Sequence, residues 1–164
     1  MKTLTYKRLQ IILALVSLLV FLSSLYFQYI QQLQPCPLCL MQRFCALILF
    51  LTCFAGIYVH PLRARILVGF QMTIAIAGLY FAGRQLWLQA LPAGQTPACM
   101  PDLEVLIRYF PWRDVLHALL WGAGDCAEIT WRWLGLSMPA WAAIYFLFML
   151  VASALLWRGL STLK

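Results

Sequence analysis

The sequence predicts an all-α membrane protein, a bundle of four transmembrane helices, and three observations predict it. The 164 residues are 64% hydrophobic and only 10% charged, whereas a soluble domain is about half apolar and about a quarter charged. Four apolar runs are each long enough to cross a bilayer as a helix. The basic residues collect in the segments on one side of those runs. A chain of this length predicts one domain over residues 1–164.

The first span is expected at about 11–30. Ile11 to Phe27 is unbroken apolar and small hydroxyl sequence, and Tyr29 and Ile30 extend it past Gln28. Twenty helical residues cover about 30 Å of hydrocarbon. Lys2, Lys7 and Arg8 precede the run as in a signal peptide, but its length and the lack of a small-x-small site predict a retained helix. Further spans are expected at about 40–58, 66–82 and 140–157. Pro139 suits the first turn of the last helix, with Ser137 nearby as a cap. Tyr26, Tyr29, Tyr58, Tyr80, Trp87, Trp141 and Trp157 lie near span ends, where amphipathic rings are favoured.

Charge sets the expected orientation. Residues 1–10, the 60–65 link and the C-terminal tail carry Lys2, Lys7, Arg8, Arg63, Arg65, Arg158 and Lys164 with no acidic residue. The opposite side carries Arg43, Arg84, Arg108, Arg113 and Arg132 against Asp102, Glu104, Asp114, Asp125 and Glu128. The formal excess of +7 therefore lies on one side, which the positive-inside rule makes cytoplasmic, with both termini there. The loops at about 31–39 and 83–139 then face outward.

Four of the six cysteines fall in those outward loops: Cys36, Cys39, Cys99 and Cys126. An even number there suits an oxidising compartment. Four cysteines permit three pairings. The natural one joins Cys36 to Cys39, which are nearly adjacent, and Cys99 to Cys126, which share a loop; the other two stay open. Cys99 and Cys126 read equally as a structural staple. Cys36 and Cys39 do not, because closing so tight a ring removes little unfolded-chain entropy and such rings are strained and reducible. Their CxxC spacing is the one thiol–disulfide oxidoreductases use. Cys45 and Cys53, within the second span, read as buried apolar side chains.

Cys39 is expected at the start of the second helix, where the partial positive charge favours a thiolate. Arg43 lies four residues on, hence on the same face. It reads either as an interfacial residue that snorkels or as a permanently charged partner of that thiolate. A thiolate at the membrane edge can give electrons to a quinone. Arg43 is expected to donate to a quinone oxygen, with Trp131 and Met138 as walls. The long outward loop carries Leu103, Val105, Leu106, Ile107, Phe110, Val115, Leu116, Leu119, Leu120 and Trp121. Such a segment is expected to form short helices on the membrane surface, with some mobility around Cys99.

Other classes fit less well. The positive charge forms no basic stripe, so nucleic acid is not an expected partner. Zinc is not expected, because there is one CxxC, the other two outward cysteines are far apart, and His60 and His117 are badly placed. A transporter is disfavoured because no acidic residue lies in a span. A non-catalytic assembly factor with two structural disulfides remains a competitor.

The stretch Gln34-Pro35-Cys36-Pro37-Leu38-Cys39-Leu40-Met41-Gln42-Arg43 closely resembles the first motif of the bacterial disulfide bond formation protein B (DsbB) family. Gly83-Arg84-Gln85-Leu86-Trp87-Leu88-Gln89 with Leu91-Pro92 is a second match. Gly124-Asp125-Cys126-Ala127-Glu128, continuing through Trp131 to Leu134-Gly135-Leu136-Ser137-Met138-Pro139, is a third. The resemblance implies a bacterial inner-membrane thiol:quinone oxidoreductase. Its Cys99–Cys126 disulfide would react with a periplasmic DsbA-like thioredoxin-fold oxidase, with Cys99 forming the mixed disulfide. Cys126 would exchange with Cys36, freeing Cys39 to pass electrons to ubiquinone or menaquinone with help from Arg43. Many members carry a histidine where this chain has Ala90. Vitamin K epoxide reductase-like proteins also combine a helical bundle, a CxxC and a quinone, but place the CxxC near the end of a late helix.

Overall fold

The computed structural model describes residues 3–59, 61–92, 105 and 108–161. Four long helices dominate: α1 (Thr3–Tyr29), α2 (Pro37–Tyr58), α3 (Pro61–Gln89) and α5 (Met138–Ser161). Between α3 and α5 lie a short helix α4 (Trp112–Trp121), a 3-10 turn (Gly124–Ala127), and an antiparallel ribbon of two-residue strands, β1 (Arg132–Trp133) and β2 (Leu136–Ser137). The expectation of an all-helical protein with four long apolar helices holds, with that ribbon as its one small addition among the described residues.

The helices are apolar all round, as membrane spans require. Only 22% to 33% of each spanning window is buried inside the protein. The uncovered faces are themselves hydrophobic, with Leu15, Leu19, Phe54, Ile76, Ile144 and Leu155 outermost. Such surface is stable against lipid and not against water.

α3 is the central helix: it packs on α2 and α5, while α1 packs on α2. Small residues permit the close approaches. A Cβ on Gly78 of α3 would sit 2.3 Å from the ring of Phe146 on α5. Several polar side chains inside the bundle are paired, while the buried Ser153 Oγ has no partner among the described residues. Gln10 and Gln71 bond each other, Gln10 also donates to Tyr6, and Tyr145 donates to Ser17. Cys45 and Cys53 are buried among these packed faces.

α3 continues seven residues past Ala82, where the apolar run stops, to Gln89. This extension carries Arg84, Gln85 and Gln89 on a rigid helix above the hydrocarbon stretch. Tyr80 Oη donates to Leu120 O at 3.3 Å and Arg84 Nε to Trp121 O at 3.1 Å. The last carbonyls of a helix have no partner inside it, so α3 caps the end of α4. Ser137 precedes α5 as a cap would, yet its hydroxyl donates to Gln89 Oε1 at 2.9 Å, tying the start of α5 to the end of α3.

Candidate active site

The site forms where α2 begins. Cys36 is the N-cap of α2 and Pro37 is its first residue, a position where a missing N–H is harmless. The free amides of Leu38 and Cys39 follow. The Cys39 amide donates to Cys36 Sγ at 3.4 Å, and the Leu38 amide is aimed at the sulfur of Cys126. The positive end of the helix thus serves Cys36 and Cys126. The sequence expected that effect at Cys39, whose own amide is one of the free donors.

Cys36 Sγ and Cys39 Sγ are 2.8 Å apart, so a disulfide of about 2.05 Å would form with sub-ångström movement. The Cys36 thiol also faces Cys126, which is fully buried in the 3-10 turn. Three of the four cysteines expected in the outward loops therefore form one cluster. Cys99 lies outside the described residues, as does the pairing expected for it.

The cluster titrates unevenly. The hydrogen bond from the Cys36 thiol, with the amides of Leu38 and Ala123, brings Cys126 down to about 7 against the opposing effect of burial. Cys36 is pushed up because it donates to Cys126 and then to Cys39, and because it is buried. Negative charge in the cluster is therefore directed away from Cys36.

The position of Cys126 is built by α4. Gly122 closes α4 with φ +82°, a left-handed conformation that favours glycine. A Cβ there would lie 2.7 Å from Leu38 Cδ1 and 2.8 Å from Leu88 Cδ1. Glycine lets the chain press against α2 and α3 before turning into Gly124–Ala127.

On the other side of Cys39 lies a cavity of about 650 Å³ between α1, α2 and α5. Its walls include Val20, Phe27, Trp131, Met138 and Tyr145, and Cys39, Gln42 and Arg43 reach it from α2. Trp131 packs at 4.9 Å against Phe27 of α1, the two rings tilted by 59°. Trp141 Nε1 donates to Trp133 O at 3.3 Å, which pins the ribbon to α5. Trp131 and Met138, singled out from the sequence, thus both line the cavity.

Arg43 is held by α1. Nη1 donates to Gln28 Oε1, and Nη2 donates to Ser24 O at 2.9 Å. Nε is buried and without a partner. A buried donor left unpaired is costly, and here it belongs to a residue lining an apolar cavity. Apolar walls plus an unpaired donor fit a flat, apolar ring edged with carbonyl oxygens. Among the described residues no group of three or more His, Cys, Asp and Glu is arranged to hold a metal ion.

Residues 6–156 match the family model for disulfide bond formation protein DsbB. The chain belongs to the disulfide bond formation protein B family. It is 43% identical over 131 residues to the Disulfide bond formation protein B of Marinobacter nauticus, covering 78% of this chain and 77% of that one. It is 35% identical over 158 residues to that of Stutzerimonas stutzeri, covering 93% of each. With the Psychrobacter protein it shares 36% over 169 residues, 98% of this chain and 96% of the other. Membership in the DsbB family implies an oxidoreductase and sets aside the vitamin K epoxide reductase-like alternative.

Sequence reasoning gave no role to Gln28, Ser24, Gln42 or Gln85. Each is a neutral residue whose importance depends on a partner on another helix. Gln42 and Gln85 stood inside the family-like stretches, which was the one available signal.

Proposed function

We propose that this chain reoxidises a periplasmic DsbA-like thioredoxin-fold oxidase and passes the electrons to a membrane quinone, so sustaining disulfide formation in other proteins. The observation that carries the proposal is the unbroken series Cys126, Cys36, Cys39 and cavity, with Arg43 at the cavity wall. Membership in the disulfide bond formation family supports the same chemistry.

In this reading Cys99 and Cys126 form the disulfide that receives two electrons from the partner's dithiol, Cys99 through a mixed disulfide. Cys126, released as a thiolate, attacks Cys36 of the Cys36–Cys39 disulfide. The Cys126–Cys36 bond forms, the Cys36–Cys39 bond breaks, and its electron pair stays on Cys39. Cys36 carries no proton while it is bridged to Cys39, so in this step the attacking thiolate is held by the amides of Leu38 and Ala123. The partner's second thiol displaces Cys99 from the mixed disulfide and leaves the partner oxidised; the freed Cys99 thiolate then attacks Cys126, the Cys126–Cys36 bond breaks, and the outer disulfide is restored with Cys36 and Cys39 reduced.

A quinone in the cavity would accept two electrons and two protons and leave as quinol. Arg43 would hold a carbonyl oxygen through its free Nε, and its charge would stabilise negative charge there. Trp131, Met138 and Phe27 would enclose the ring and exclude water. The segregation of basic residues supports an inner-membrane location with the cysteine cluster facing the periplasm.

The test is quinone absorbance during turnover of the purified full-length protein with a reduced thioredoxin-fold dithiol oxidase. One quinone should be reduced per partner disulfide formed, and Cys39→Ala should abolish this in a folded protein. Unchanged turnover in Cys39→Ala would overturn the reading, as would partner oxidation without quinone loss.

A further inference from the structure

One group touches both sulfurs of the inner pair and has no part in the relay above. Gln85, on the extension of α3, places Nε2 3.4 Å from Cys36 Sγ and 3.2 Å from Cys39 Sγ. A carboxamide nitrogen carries two hydrogens, one for each sulfur. Gln85 is 4% exposed, so water does not compete for them. Its Oε1 accepts from Gln42 Nε2 at 2.8 Å and lies 3.5 Å from Cys39 Sγ. Gln42 is likewise buried, at 8% exposure, and sits on α2 beside Arg43. The two terminal nitrogens of Arg43 are committed to Gln28 and Ser24 on α1.

We infer that Gln85 is a further catalytic residue, a neutral donor that holds the charge on whichever sulfur of the Cys36–Cys39 pair leaves. Gln42 is its positioning residue: by donating to Oε1 it keeps the Nε2 edge turned toward the sulfurs. This inference rests on the redox reading of that pair. When an attacking thiolate forms its bond to Cys36, the Cys36–Cys39 bond breaks and Cys39 takes the electron pair. The charge then appears on the sulfur nearest Gln85 Nε2. Hydrogen bonds to a charged group are about twice as strong as neutral ones, so the contact strengthens as the bond breaks. That is the differential binding that accelerates a step. A neutral donor also adds no charge of its own, which lets the same amide serve the oxidised pair at little cost.

The test is the alkylation rate of Cys39 by iodoacetamide in the full-length protein carrying Cys36→Ala, where Cys39 is the remaining thiol of the pair. Gln85→Met keeps length and loses the donors. It should slow alkylation at pH 7 by about tenfold and move the pH profile to higher pH, the expected size for a lost bond to a charged group. Gln42→Met should slow it roughly threefold, since the donors remain but are no longer oriented. Gln85→Glu keeps shape, and once ionised its carboxylate offers no donor and repels the thiolate, so at high pH it should slow alkylation at least as much as Gln85→Met. An unchanged rate and profile in folded Gln85→Met overturns the inference. If that variant does not fold, unchanged alkylation in Gln42→Met overturns it. A changed profile in a protein whose turnover survives Cys39→Ala would instead reject the relay and leave Gln85 as a thiolate partner only.

Discussion

Arg84 Nε donates to the carbonyl oxygen of Trp121 at 3.1 Å, which anchors the end of α4 from which the chain turns to Cys126. Trp121 ends α4, and the 3-10 turn holding Cys126 begins three residues later. Arg84 also lies over the Trp87 ring at 4.2 Å, which keeps its side chain in place. Arg84→Ala should therefore loosen Cys126 from Cys36 without unfolding the bundle. Thiol exchange between them, followed by rapid quenching, should slow roughly fivefold, the effect of losing about 1 kcal/mol of docking. An unchanged exchange rate would show that α4 is held by other contacts.

Gly122 is the second fixed point of the same connection. Gly122→Ala would force a Cβ into the fully buried Leu38 and Leu88 at a positive φ. The cost should be about 1–3 kcal/mol. Thermal unfolding in detergent should report a lowered midpoint, and Cys126-to-Cys36 exchange should slow. Wild-type values for both would contradict the packing described at α2.

Arg43→Ala removes the unpaired Nε from the cavity and frees Gln28 and Ser24. The KM for quinone should rise about tenfold or more, as expected for one hydrogen bond from a charged donor. Exchange among the cysteines should change little. Arg43→Lys should not restore quinone use, because an ammonium cannot hold α1 and offer a third donor in a fork. Steady-state kinetics over a range of quinone concentrations separates these outcomes.

The reduced protein should gain thiolate absorbance near pH 7, and Cys126→Ala should remove that step. The folded thiol titrates at about 7 against an ordinary value of 9.0. Its contribution to stability is therefore full above pH 9, declines between 9 and 7, and is gone below 7. A step that stays near 9 would contradict the hydrogen bonding assigned to Cys36, Leu38 and Ala123.

Cys45→Ser and Cys53→Ser should retain turnover. Both thiols are buried in the bundle, and a helical serine can bond the carbonyl four residues back. Loss of quinone reduction in either folded variant would assign it a role in the relay.

Much of this was legible in the sequence because it depends on local pattern. Apolar run length gave the four helices, and the Pro37 in the CxxC fits a helix start that leaves Cys36 as cap. Arg43, Trp131 and Met138 were readable as cavity residues from their types and places. The seven-residue extension of α3 was not, since Gly83, Arg84, Gln85 and Gln89 end the apolar run without ending the helix. Nor was the direction of the free α2 amides toward Cys126, which depends on a contact between residues 88 positions apart. The glutamines at the site were silent for the same reason: a neutral amide has meaning only through its partner.

The transfer of electrons from Cys126 to Cys36 is tested most directly by mapping disulfides in the double variant Cys39→Ala, Cys99→Ala, in which neither resting disulfide can form. With the leaving sulfur absent, mild oxidation should trap a Cys36–Cys126 disulfide joining the start of α2 to the 3-10 turn, visible by mass spectrometry of the digested protein. Recovery of Cys36 as a free thiol under conditions that fully oxidise Cys126 would contradict the relay.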